Sequence, residues 1–86
     1  MYLHLGQSTV ITHDEILGIF DLDNTTVSKK TRDYLSMAEK NGRVRVVSYE
    51  LPKSFIVCSD KNGEITVYLS QISSVTLLKR VEEMKY

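Results

Sequence analysis

Apolar and polar positions alternate from the start of the chain. In Tyr2-Leu3-His4-Leu5 and again in Thr9-Val10-Ile11-Thr12 the apolar side chains recur at strand-like spacing, and Gly6-Gln7-Ser8 between them carries turn chemistry. A polar step at His13-Asp14-Glu15 precedes a third apolar segment over residues 16 to 22. The first third is therefore expected to form three short strands in a small meander.

The period then changes. Val27, Thr31, Tyr34, Leu35 and Ala38 fall at helical spacing, Thr25 or Thr26 can cap the start, and Asn41-Gly42 supplies a left-handed stop. The spacing predicts a helix over residues 26 to 40. Residues 44 to 49 and 53 to 59 read as strands joined through Glu50-Leu51-Pro52.

Asn62-Gly63 separates Phe55-Ile56-Val57-Cys58-Ser59 from Ile65-Thr66-Val67-Tyr68-Leu69 and suits a two-residue hairpin turn. Such a turn pairs Lys61 with Glu64, Cys58 with Val67 and Ile56 with Leu69 on one side, and Val57 with Tyr68 on the other. Ser73 caps a last helix running through Leu77, Leu78 and Val81 to about residue 83, with Ile72 placed to staple onto Leu77.

These elements describe one α+β domain over residues 1 to 86, mainly an antiparallel sheet of about six short strands with a central and a C-terminal helix. The hairpin is apolar on both faces, and two helices seldom cover both. The uncovered face, with Phe55, Val57 and Tyr68, is the expected subunit interface.

Composition narrows the possibilities further. At 86 residues the chain holds one modest core and no second lobe with its own cleft, which argues against most enzyme folds. Eleven basic residues balance eleven acidic ones, so any affinity for nucleic acid must come from a local patch. No apolar run approaches membrane-spanning length, and residues 1 to 6 lack a basic segment ahead of an apolar stretch. The expectation is a cytoplasmic protein without membrane association. Cys58 is the sole cysteine, which excludes an intramolecular disulfide and any multi-cysteine metal cluster; in its apolar run it is expected to pack as a small hydrophobe.

The most enzyme-like string is Ile19-Phe20-Asp21-Leu22-Asp23-Asn24-Thr25, which resembles the first motif of the haloacid dehalogenase phosphatases. That chemistry also needs a downstream hydroxyl, a lysine and an acidic magnesium pair on a doubly wound parallel sheet. The final acidic pair here, Glu82-Glu83, falls on the terminal helix. Asp21, Asp23 and Asn24 are better read as a polar connection near the positive end of a helix. His4 and His13 have no third ligand at recognisable spacing, and glycines 6, 18, 42 and 63 form no phosphate loop. No catalytic residue, metal, cofactor or small-molecule substrate is implied.

Three basic groups are candidates for DNA: Lys29, Lys30 and Arg32 near the start of the first helix, Arg43 with Arg45, and Lys53. Hydroxyls and amides over residues 25 to 28 can add to phosphate binding at that helix terminus. In one chain such a patch reads better as a solvated helix face with alternating strand charges, but symmetric repetition multiplies it along a duplex.

The opening Met1-Tyr2-Leu3-His4-Leu5-Gly6, the run Ile19-Phe20-Asp21-Leu22 leading to Thr25-Thr26, and Leu51-Pro52-Lys53-Ser54-Phe55 together resemble the RemB branch of the RemA/RemB extracellular matrix regulatory family. The likeness covers residues 1 to about 81. It implies regulation of matrix genes in biofilm formation, with RemA-type members binding DNA as ring-shaped oligomers. One departure matters: the arginine-rich Gly-Arg-Arg hairpin of RemA-type sequences is replaced here by Tyr49-Glu50-Leu51-Pro52-Lys53. The resemblance thus supports a homo-oligomeric regulator more strongly than it supports tight DNA binding. Two readings follow, a DNA-associated transcriptional regulator and a protein-only interaction module, with a phosphatase a distant third.

Overall fold

A computed structural model describes residues 2–22 and 28–83. The first two strands, β1 (Tyr2–Gly6) and β2 (Thr9–Thr12), pair as an antiparallel hairpin in which Leu3 faces Ile11. Leu3, Leu5 and Ile11 are buried while Tyr2, His4 and Val10 are exposed, as the alternation requires. Residues 13 to 15 form one turn of 3₁₀ helix, preceded by a Thr12 hydroxyl that donates to Glu15 at 2.7 Å.

That turn changes the topology. β3 (Ile16–Asp21) leaves the first hairpin and joins β5 (Ser54–Ser59) in a separate sheet, so the expected meander does not form. The second sheet has the order β3-β5-β6-β4, completed by β6 (Ile65–Ser70) and the short β4 (Val44–Val46). β4 runs parallel to β6, while the other pairs are antiparallel. The expected small α+β domain with two helices and six strands is the fold observed, with the strands divided between two sheets.

Between β3 and β4 lies α1 (Lys29–Lys40). Its start is later than the spacing predicted: Ser28 is extended, with φ −64° and ψ 154°, and its side chain accepts from the Thr31 amide at 3.2 Å. Ser28 therefore takes the capping role assigned to Thr25 or Thr26. Those two threonines, with Asp23, Asn24 and Val27, lie outside the described residues. The stop is as expected. Gly42 has φ +69°, its amide donates to Glu39 O, and the Arg43 amide donates to Ala38 O, the paired bonds of a Schellman motif.

The second hairpin corrects the expected register. Asp60 pairs with Glu64 around the three residues Lys61-Asn62-Gly63, and of these Gly63 alone has positive φ, +81°. The cause is the Asp60 carboxylate. Its Oδ1 accepts the amides of Asn62 at 2.8 Å and Glu64 at 2.9 Å, favouring a longer turn with one left-handed residue. Val57 now pairs with Val67, Ile56 with Tyr68 and Cys58 with Thr66. A one-residue shift exchanges faces, so Val57 and Tyr68 point to opposite sides.

Each side is covered. Phe55 and Val67 pack with Ala38 and Leu35 of α1, whereas Ile56 and Cys58 pack with Leu3, Leu5 and Ile11 of the first hairpin and Leu77 of α2 (Ser74–Glu83). The expectation of one uncovered sheet face is thereby overturned, because the β1–β2 hairpin serves as a covering layer instead of extending the sheet. Two buried serines tie the layers: Ser70 Oγ donates to Leu5 O at 2.7 Å, and Ser54 Oγ donates to Ile72 O at 2.7 Å. α2 begins as predicted, with Ser73 accepting the Thr76 amide at 3.3 Å. Ile72 and Leu77 share one core cluster, in keeping with a staple.

Candidate nucleic-acid interface

The Schellman stop of α1 feeds directly into β4 and sets the first two basic residues. Arg43, half-buried, donates to Ile65 O at 3.4 Å and stands 4.0 Å from the Glu64 carboxylate. Arg45 is exposed and folds back on the chain, donating to Gly42 O at 2.9 Å and Val44 O at 3.2 Å. It pairs with Tyr68 and so lies on the first-hairpin side of the sheet, opposite α1. Burial holds the Tyr68 hydroxyl pKa above the usual tyrosine value, and nearby Arg45 only partly offsets this.

Lys53 belongs to the other end of the strands. Its amide donates to Ser70 O and its carbonyl accepts from Leu22, both at 2.8 Å, which fixes its backbone while leaving the side chain exposed. By register Arg43 lies near the 61–63 turn, so roughly 15 Å of strand separates it from Lys53. Lys30 lines a cleft with Phe20 and Phe55, which places the first turn of α1 at the Lys53 end. The six expected contacts thus divide into two groups: Lys29, Lys30, Arg32 and Lys53 at one end, and Arg43 with Arg45 along the β4 edge, Arg43 toward the 61–63 turn and Arg45 level with Ile56. Lys29 also pairs with Asp33 at 3.6 Å, one turn along the helix.

The expected interface residues do not form one surface. Phe55 is buried and Val57 half-buried on the α1 side, while half-buried Tyr68 contributes to the opposite core. The exposed apolar residues are others. Leu17, Phe20 and Tyr34 edge a cleft of about 390 Å³ beside β3, and Val46, Tyr49 and Leu51 project at or beyond β4. For the cleft beside β3 the signal in the sequence was Gly18, whose missing side chain leaves room for the Phe20 ring.

His4 is an exposed strand side chain, and His13 lies 3.9 Å from its neighbour Asp14. Among the described residues no group of three metal-ligating side chains converges. Asp21, exposed, ends β3 opposite Ser54, while Asp23, Asn24 and Thr25 of the phosphatase-like string lie outside the described residues. Glu82 and Glu83 are exposed on α2. No described helix is long and apolar enough to cross a membrane.

Across 84 residues the chain is 34% identical to extracellular matrix regulatory protein B of Bacillus subtilis strain 168, covering 98% of this chain and 94% of that protein. The chain belongs to the extracellular matrix regulatory protein family. Models of known protein families give no match to it. Within this family member the match spans every described element, including the 48–52 loop and both basic groups.

Proposed function

We propose that the chain is a regulator of extracellular matrix genes, acting as a cytoplasmic homo-oligomer that reaches DNA through phosphate contacts and not as an enzyme. The observation that carries this reading is the near full-length relationship to a protein named as a matrix regulator. The geometry adds a constraint. Arg43 is half-buried beside Glu64 and Arg45 folds onto carbonyl groups. Lys30, Arg32 and Lys53 are exposed, and Lys29 is held, among the described residues, only by its exposed ion pair with Asp33, so these four are the more available group. Four cations on one subunit neutralise few phosphates, and affinity then depends on several subunits meeting one duplex. No recognition helix rich in base-reading side chains is present among the described elements, which favours contacts insensitive to sequence.

A mobility-shift titration at low salt with duplexes of increasing length tests this. Affinity should rise steeply with length and fall steeply with salt, and Lys29→Glu with Lys53→Glu should remove the shifted band. Arg43→Glu with Arg45→Glu should weaken it less. If the assembled protein leaves a promoter-length duplex unshifted at micromolar concentration, the protein-only interaction module replaces the DNA reading.

A further inference from the structure

The cleft beside β3 lies between the sheet and the first turns of α1. Leu17 and Phe20 supply its β3 wall, Phe55 and Val57 of β5 its floor, and Lys30 and Tyr34, one helical turn apart, its α1 wall. Gly18 keeps it open. Because that residue has no side chain, the Phe20 ring lies back over it, stacked on buried Phe55 with ring centroids 4.8 Å apart and still 47% exposed. Leu17, 62% exposed, stands as the lip.

The charge of the cleft is one-sided. Among the described residues Lys30 is the one charged member of the lining and no carboxylate borders it. Lys30 makes no ion pair within the described structure, whereas its neighbour Lys29 is matched by Asp33. A lysine in this position lays its stem along apolar surface and holds its ammonium at the water-facing rim. The complement is an anion carried on an apolar body. At about 390 Å³ the cleft is large enough for a small molecule, since such sites begin at roughly 300 Å³. Partly exposed rings at Phe20 and Tyr34 favour a flat aromatic body over a flexible chain, because ring pairs contribute beyond the area they bury and a rigid body loses less freedom on binding.

We propose that this cleft binds a small aromatic carboxylate, its ring system against Phe20 and Tyr34 and its carboxylate on the Lys30 ammonium. Every group the site uses belongs to one chain. It therefore stands apart from the regulatory reading and requires neither DNA nor assembly.

Naphthoate and its uncharged analogue naphthamide, titrated into the isotope-labelled full chain with the backbone amide resonances followed, test the site. Both should give saturating shifts centred on residues 17 to 20 and 30 to 34, with naphthoate binding roughly fivefold tighter at low salt, the upper scale of an exposed ion pair. Added salt should erode that preference. Lys30→Met, which keeps an apolar stem, should abolish it while leaving naphthamide binding intact, and Leu17→Asp should remove naphthoate binding altogether. Both changes fall at exposed positions, and the amide spectrum itself verifies that each variant is folded. Equal affinities for the two compounds, or a preference that survives Lys30→Met, overturn the proposal. So do shifts centred elsewhere or still unsaturated in the millimolar range, which would mean adventitious contact only. Naphthoate affinity that weakens as the protein concentration rises would place a second copy of the chain in the cleft and equally overturn the small-molecule site.

Discussion

Phe20 folds its ring back over Gly18, so that a Cβ at residue 18 would stand 2.7 Å from the ring's Cε2. Gly18 has no positive φ, and its role is to leave space. Gly18→Ala should push the ring out of its stack on Phe55 and cost about 1 kcal/mol, the scale of an aromatic pair. Urea denaturation measures this, with Phe20→Leu as the comparison. A Gly18→Ala protein of unchanged stability would show that the stack contributes nothing.

Ser70 is buried, donating to Leu5 O and accepting the Ile72 amide at 3.0 Å. Ser70→Ala leaves a carbonyl and an amide without their partner in a site closed to water, at a cost of about 2 kcal/mol. Hydrogen exchange should quicken at Ile72 as the global stability falls. An unaltered midpoint would mean that water or a relaxed backbone replaces both bonds.

Asp60→Ala should loosen the second hairpin by removing the acceptor of two amides, lowering stability by about 1 kcal/mol. Asp60→Asn keeps an acceptor oxygen and should retain most of the difference. Equal stability of the two variants in chemical denaturation would assign the turn to Gly63 alone.

Burial, with a smaller contribution from Glu15, pushes the Cys58 thiol from 9.0 to about 11. An acid whose folded pKa is raised stabilises the fold fully below its unfolded pKa, and that contribution is lost as pH rises through the folded pKa. Stability should therefore decline between about pH 9 and pH 11, and less steeply in Cys58→Ala. In the native protein the thiol should resist alkylation near neutral pH and react after unfolding. Rapid native-state labelling would contradict a closed core at this position.

Local chemistry made much of the fold legible in the sequence. Ser73 before Leu77 announced the last helix, and Asn41-Gly42 marked the end of the first, because caps act within a few residues. Alternation also gave the inward set Leu3, Leu5 and Ile11. It could not say which sheet these residues would cover, since period two defines a face and not its partner. The register slipped by one at Asn62-Gly63 because the Asp60 side chain competes for the turn amides, and this separated Val57 from Tyr68. The basic residues were recognisable by type. Their division into two groups was not, because it depends on the long-range pairing of β4 with β6 and on Glu64 reaching Arg43.

The placement of the first hairpin has a consequence for synthesis. Leu3 and Leu5 share their core with Leu77, the Leu5 carbonyl is held by Ser70, and Arg80 donates to the His4 carbonyl at 3.3 Å. A nascent chain leaving the ribosome cannot complete this layer until its last helix has emerged. Its first two strands must wait for residues 74 to 81 with their apolar side unclaimed, so this layer is expected to form late in folding.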